Sequence, residues 1–204
     1  MKRLFSILRF LLILSIAGFI LIMYLYLASP SFLKCFEPKY YGPEYERNTS
    51  WMIDEYAHNY CKNRPMELLH VGNFTDAPNH YILFGLWLRS YAKQNLQEAR
   101  LEAVTLVQDF WKTIEHDTRS IVSFEQSKKF MPPEYRDRLS LNLVGVKIAY
   151  WDKNVNRPLP PYISEVTFYN STFCYYEADP RTQALRIVLE ESFDDACRLV
   201  SSME

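Results

Sequence analysis

Glycine is scarce in this sequence, with 5 residues in 204. The glycine-rich loops that hold phosphates in P-loop and dinucleotide-binding proteins are absent, and so is the Gly-X-Ser-X-Gly pattern of many serine hydrolases. No low-complexity segment or internal repeat takes their place. The sequence therefore predicts a packed globular domain, and it assigns no catalytic residue and no cofactor.

A basic excess is also lacking, because 23 Lys and Arg residues stand against 24 Asp and Glu residues. Three of the cations, Lys2, Arg3 and Arg9, lie at the extreme N-terminus. The rest of the chain is therefore mildly acidic. Binding to nucleic acid requires a clustered basic surface, so a nucleic-acid partner is not expected.

Residues 10–28 form a stretch of 19 residues without a charge. A helix of this length is about 28 Å long, which matches the hydrocarbon thickness of a bilayer. The preceding cations keep residues 1–9 in the cytoplasm under the positive-inside rule. The alternative is a cleaved secretory signal, whose apolar region is usually shorter. We expect a transmembrane signal anchor, with the remaining chain in a periplasmic, lumenal or extracellular compartment.

Residues 29–47 contain three prolines and show neither helical nor alternating periodicity, so they are predicted to be a tether. Residues 48–204 are predicted to form one extracytoplasmic α+β domain. Asn48, Thr49 and Ser50 offer N-cap oxygens for a first helix that runs to about residue 63. A short apolar run at residues 81–88 is assigned to a helix, and residues 116–138 show no clear period.

The pair Asn95 and Glu98 has the spacing of a capping box before a helix that runs to about Glu115. The C-terminal third changes to a period of two, which is typical of strands. The phase shifts after Leu143, which indicates a bulge near Gly145 or burial of both strand faces. We expect helices on a roughly four-stranded antiparallel sheet, with Ser192 capping a short C-terminal helix.

Cysteine is the best candidate for covalent cross-linking, because an oxidising compartment permits disulfides. Two disulfide bonds are possible, in any of three pairings. The alternative is that the cysteines are buried free thiols. The acid, imidazole and thiol of Asp54, His58 and Cys61 share one helical face. As a metal site they would need a fourth ligand, so an exposed polar face is preferred and no metal is assigned. The candidate disulfide residues are Cys35, Cys61, Cys174 and Cys197.

Three asparagines, Asn48, Asn73 and Asn170, each begin an Asn-X-Ser/Thr sequence, the acceptor pattern for N-glycosylation. Asn170 lies at a predicted hairpin turn, so it is expected to be the most accessible of the three.

Aromatic residues are concentrated in and around the predicted hairpins, where adjacent rings must point to opposite faces of the sheet. Packing in the core accounts for many of them, and the others can bind a partner. We expect a single-pass, membrane-anchored interaction or scaffold subunit of a membrane or envelope complex. The alternative is a ligand-binding or hydrolytic domain with a pocket beside Glu165, Glu177 or His116. The candidate partner-binding residues are Trp151, Tyr169, Tyr175 and Tyr176.

Overall fold

The computed structural model describes residues 44–75 and 81–202, which form an α+β fold. The predicted anchor at residues 10–28 and Cys35 lie outside the described residues. Three short 3-10 helices connect the larger elements in the middle of the chain. The elements in chain order are α1 (Glu44–Cys61), β1 (Met66–Thr75), β2 (Tyr81–Ser90), α2 (Leu96–His116), α3 (Thr118–Ser127), β3 (Val144–Tyr150), β4 (Ile163–Tyr169), β5 (Thr172–Ala178), β6 (Leu185–Ser192) and α4 (Phe193–Ser201).

The six strands form one mixed sheet in which spatial order follows chain order from β1 to β6. Four of the five neighbouring pairs are antiparallel, and only β2 and β3 are parallel. A parallel pair needs a long crossover, and α2 and α3 supply it. The predicted antiparallel meander is present as β3 to β6, but the prediction of a four-stranded antiparallel sheet is wrong for the sheet as a whole.

The helix predicted at residues 81–88 is wrong, because these residues belong to β2. This strand pairs with β1 on one side and with β3 on the other. Ile82, Leu83 and Phe84 are all buried, so both faces of β2 are covered at this end. A strand buried on both faces has a continuous apolar run, which periodicity cannot distinguish from a buried helix.

Helix α1 begins at Glu44, four residues before the predicted start and inside the segment assigned to the tether. Thr49 and Ser50 are therefore not N-caps. They lie buried within the helix, and the Thr49 hydroxyl donates a hydrogen bond to the hydroxyl of Ser123 in α3. Small polar residues at this position join two helices instead of starting one.

Helix α2 is the element that the sequence predicted best. The side-chain oxygen of Asn95 accepts hydrogen bonds from the backbone N–H groups of Gln97 and Glu98, at 2.9 and 3.0 Å. The Glu98 carboxylate accepts the Asn95 N–H at 2.8 Å, which completes the predicted capping box. The cap on the final helix is also confirmed, because the Ser192 hydroxyl accepts the N–H of Asp195 at 3.1 Å.

The alternating leucines before β3 do not form a strand, because Leu141–Leu143 is a 3-10 helix and β3 begins at Val144. Six of the seven residues of β3 are buried. Of the two explanations for the change of phase, burial of both faces is confirmed, and β3 has no register shift against either neighbour.

Helices α1, α2 and α4 pack against the sheet, and α3 packs on α1 and α2. Phe193 of α4 packs on Phe168 and Phe173, with ring centroids 5.8 and 6.2 Å apart. Tyr56 of α1 packs on Phe110 of α2 at 5.0 Å, which joins the helices to each other. We call the side of the sheet that carries Phe168 and Phe173 the helix face, and the opposite side the open face. No helix among the described residues is long and apolar enough to cross a membrane.

Candidate functional site

The open face is organised as a row of side chains that crosses five strands. Successive strands place these residues directly beside one another. A residue and its direct cross-strand partner lie on the same face of a sheet, so the whole row belongs to the open face. The row consists of Trp87, Lys147, Thr167, Cys174 and Glu190.

Ion pairs and cation–π contacts cover part of this row. The Lys147 ammonium lies 2.8 Å from the Glu165 carboxylate and 5.7 Å from the centre of the Trp87 ring. The Arg89 guanidinium lies 4.3 Å from the centre of the Trp151 ring, and it donates to Glu67 at 2.8 Å. Each of these two cations thus contacts both a carboxylate and an aromatic ring. The β2–β4 part of the open face is therefore polar, and its indole rings are partly covered.

Three of the four predicted partner-binding residues lie on the open face. Tyr176 lies two residues after Cys174 on β5 and pairs with Glu165, Trp151 contacts Arg89, and Tyr169 lies over Gly145. All three are half-buried.

The prediction for Tyr175 is wrong. Its side chain is 0% exposed on the helix face, and the Arg100 guanidinium lies 5.9 Å from its ring. Neighbouring strand residues point to opposite faces, so Tyr175 and Tyr176 have different surroundings.

The most exposed apolar part of the sheet is strand β6. Ile187 is 54% exposed and lies directly opposite Tyr176, while Leu185 and Val188 are also exposed. A register shift in this pair leaves Val188 as an extra residue, which is a β-bulge. The sequence does not reveal this surface, because Leu185, Ile187 and Leu189 have the same alternation as a strand with one buried face.

The residues suggested for a hydrolytic pocket do not come together. Glu165 lies on the open face with Lys147, whereas Glu177 pairs with Arg186 at 3.2 Å near the sheet edge. His116 is in the last turn of α2, where its Nδ1 lies 2.7 Å from the Lys112 carbonyl oxygen. These three side chains therefore do not form an acid–base pair in one pocket.

A buried carboxyl group is found elsewhere, between α2 and β3. Burial raises the pKa of Glu102, and the neighbouring Tyr150 and Gln94 side chains oppose that shift. Burial also raises the pKa of Tyr150, and it raises the pKa of Tyr60 to about 12. These side chains join α1, α2 and β3, so they are part of the packing between layers.

The described cysteines, Cys61, Cys174 and Cys197, are free thiols. Burial raises the pKa of each, so little reactive thiolate is present at neutral pH. Within the described ranges no group of three or more His, Cys, Asp and Glu residues is placed to hold a metal ion.

Of the candidate glycosylation sites, Asn48 lies within α1 and is half-buried, while the Asn73 side chain lies outside the described part. Asn170 is exposed in the turn between β4 and β5, where Asn170 and Ser171 have φ values of 48° and 58°. Two positive φ values are typical of a tight two-residue hairpin, so Asn170 lies at the predicted turn.

Comparison with known proteins finds no match to a family model, to a curated protein or to a solved structure.

Proposed function

We propose that this protein is a single-pass membrane subunit whose extracytoplasmic domain binds a protein partner at the β5–β6 end of its sheet. The binding surface, which we call the β5–β6 patch, consists of Tyr176, Leu185, Ile187 and Val188. The observation that carries the proposal is the 54% exposure of Ile187 next to the half-buried ring of Tyr176. Covering such side chains is favourable for binding, at roughly 25 cal/mol per Å² of apolar surface.

The surroundings of the patch resemble the anatomy of a protein interface. Glu190, which is exposed and pairs with Cys174, follows the apolar side chains along β6 and supplies a polar border on the open face. The Tyr176 ring combines a large apolar area with a hydroxyl group, a combination that is enriched at interfaces.

The bulge at Val188 favours side-chain packing over strand addition. A partner strand would need a regular row of backbone groups along the outer edge of β6, and a bulge interrupts such a row. We therefore expect the partner to cover the patch with a helix or a loop that presents apolar side chains.

Membrane anchoring is supported by the sequence of residues 10–28. Its length and lack of charge suit a span, and Lys2, Arg3 and Arg9 suit a cytoplasmic N-terminus. Extraction of native membranes with alkaline carbonate should leave the full-length chain in the membrane pellet. Release into the supernatant would contradict the anchor.

The partner is tested with a photoreactive phenylalanine analogue at position 187 of the full-length protein in its native membrane. We expect one dominant adduct that is missing when the same group is placed at Val155, an exposed residue in the β3–β4 connection. Equal adducts at both positions would contradict a specific patch.

The double substitution Tyr176→Ala with Ile187→Ser should weaken capture of that partner. Each lost apolar contact is worth about 1.5 kcal/mol, or about tenfold in affinity. The matched control is Tyr162→Ala with Val155→Ser, which removes a tyrosine and a β-branched side chain that are exposed elsewhere. Undiminished capture by the patch variant, with the control unchanged, would overturn the proposal.

A further inference from the structure

Five exposed cations lie at the end of the sheet where the parallel strands β2 and β3 finish. They belong to three connections, which are the turn between α1 and β1, the segment between β2 and α2, and the connection between β3 and β4. The chain as a whole has no basic excess, so the fold and not the composition produces this surface. We call these five residues the basic cluster. Its members are Lys62, Arg64, Lys93, Lys153 and Arg157.

Tyr91 joins two of the three connections. Its N–H donates to the carbonyl oxygen of Pro65 at 2.8 Å, which places the end of β2 beside Arg64. The Lys153 ammonium lies 5.7 Å from the Tyr91 ring. Cations from the α1–β1 turn and from the β3–β4 connection therefore flank one tyrosine.

Asp152 joins the segment after β2 to the β3–β4 connection. Its carboxylate lies 3.4 Å from the Lys93 ammonium, and its N–H donates to the Arg157 carbonyl oxygen at 2.9 Å. Lys93 and Arg157 are thus both neighbours of one residue.

Carboxylates near the basic cluster do not cancel its charge. Among the described residues, Lys93 is the only member with a carboxylate partner. Glu98 is exposed in the first turn of α2, and Glu102 has a buried carboxylate oxygen. Glu67 is paired with Arg89, which is not a member. Even if all of these carboxylates are charged, the cations are in excess, so this surface is positive.

The basic cluster is wider than a single anion. Strands β1 and β3 are the two neighbours of β2, so their ends lie about 10 Å apart. The long side chains of lysine and arginine extend the positive surface further. One phosphate or carboxylate contacts only part of this surface, so the matching ligand is a chain that carries several anionic groups.

Amide and aromatic side chains accompany the cations. Asn63 and Asn154 are exposed next to members of the cluster. Amide side chains donate and accept hydrogen bonds, as sugar hydroxyls do. Tyr162 is 38% exposed, and the N–H of the residue after it donates to the Gln94 carbonyl oxygen at 2.9 Å. The Tyr162 ring therefore lies near Lys93.

We propose that the basic cluster binds an acidic polysaccharide, whose sugars carry carboxylates. The lysine and arginine side chains pair with the carboxylates, and a guanidinium group can do so through two parallel hydrogen bonds. The amides bind sugar hydroxyls, and the Tyr162 ring packs on the apolar face of a sugar.

Two other polyanions, nucleic acid and an anionic bilayer, fit this surface less well. The extracytoplasmic placement proposed above separates the domain from nucleic acid, and the choice of polysaccharide rests on that placement. Surfaces that lie in a bilayer combine cations with several large apolar side chains. In the three connections, all of which are described, only Val155 and Tyr162 expose a large hydrophobic side chain.

The test measures dissociation constants for the full-length protein in uncharged detergent micelles. The probes are alginate, which is a polymer of uronic acids, uncharged dextran and double-stranded DNA. We expect alginate to bind, with a dissociation constant that rises with salt, and dextran not to bind. DNA carries one charge per about 1.7 Å, so charge alone favours DNA. We nevertheless expect alginate to bind more tightly than DNA at equal concentrations of anionic groups, because only the polysaccharide also uses the amide and ring contacts.

The double substitution Lys153→Gln with Arg157→Gln should raise the dissociation constant for alginate about tenfold, at about threefold for each exposed ion pair. The matched control is Lys112→Gln with Arg138→Gln, which removes an exposed lysine and an exposed arginine from α2 and from the segment before β3. The control should leave the dissociation constant unchanged. Equal losses in the two variants would show binding by overall charge and would overturn the proposal.

The substitution Asn63→Ala with Asn154→Ala keeps every charge and tests the contacts to sugar. It should weaken binding of alginate and leave binding of DNA unchanged. Tighter binding of DNA than of alginate by the natural protein would assign the basic cluster to nucleic acid and overturn the proposal. Binding to liposomes that contain phosphatidylglycerol, without binding to alginate, would assign the cluster to a bilayer and also overturn it. Carbonate extraction and cross-linking at position 187 do not involve these residues, so the failure of the anchor or of the β5–β6 patch is seen separately.

Discussion

The Arg100 guanidinium and the Glu191 carboxylate form a two-pronged ion pair, with Nε–Oε1 and Nη2–Oε2 distances of 2.8 and 3.1 Å. Both side chains are buried, and the hydrogen bond to Glu191 raises the pKa of Arg100. Arg100 belongs to α2 and Glu191 to β6. The edge strand that exposes Ile187 on the open face is thus held to the helical layer through Glu191, the residue before the N-cap of α4.

Substitution of Arg100 by alanine should destabilise the domain by about 3 kcal/mol, because it leaves the Glu191 carboxylate buried without its partner. The measurement is the urea dependence of unfolding, followed in the full-length protein in detergent micelles. The control is Arg186→Ala, which breaks the exposed pair with Glu177 and should cost less than about 1 kcal/mol. Equal losses in the two variants would show that the buried pair has no special role.

A close approach between β2, β3 and β4 gives a second prediction. A Cβ atom on Gly145 would lie 2.8 Å from Cδ1 and 2.9 Å from Cγ2 of Ile82, and 3.0 Å from the Tyr169 ring. Gly145→Ala should therefore destabilise the domain by about 1 to 3 kcal/mol.

The matching double variant identifies the cause. In an Ile82→Val background, which removes Cδ1, the same Gly145→Ala substitution should cost measurably less in the same urea titration. An unchanged cost would show that the loss comes from Cγ2 of residue 82 or from the Tyr169 ring, which both remain, and not from Cδ1.

Local signals explain the parts of the fold that the sequence predicted. The capping box of Asn95 and Glu98 and the cap at Ser192 act within a few residues, so they can be read directly from the chain. The alternation in β4 to β6 was also visible. In contrast, β2 resembled a helix because β1 and β3 enclose it, and no pattern within residues 81–88 contains that information.

The candidate sites, too, were predictable only where a local sequence pattern determines them. Alternation explains why Tyr175 and Tyr176 face opposite sides, but it does not say which side the helices cover. Likewise, Leu185 and Ile187 have the pattern of a buried strand, and only the position of β6 at the end of the sheet exposes them. The packing of α1 on α3 joins residues far apart in the chain, such as Thr49 and Ser123, and no local pattern predicts it.

The buried carboxyl of Glu102 gives a pH-dependent prediction. Burial raises its pKa in the folded state above the ordinary value of 4.5, so the folded protein holds this proton more tightly than the unfolded chain. The contribution of Glu102 to stability is then largest below the unfolded pKa, and it is lost as the pH rises through the folded pKa.

Glu102→Gln keeps a polar group beside Tyr150 without the charge. It should be more stable than the natural protein at neutral pH, and the difference should shrink as the pH falls towards 4.5. Thermal unfolding midpoints across this range measure the effect, with Glu115→Gln on the exposed side of α2 as the control. A difference that does not change with pH would mean that the substitution acts through packing and not through the charge.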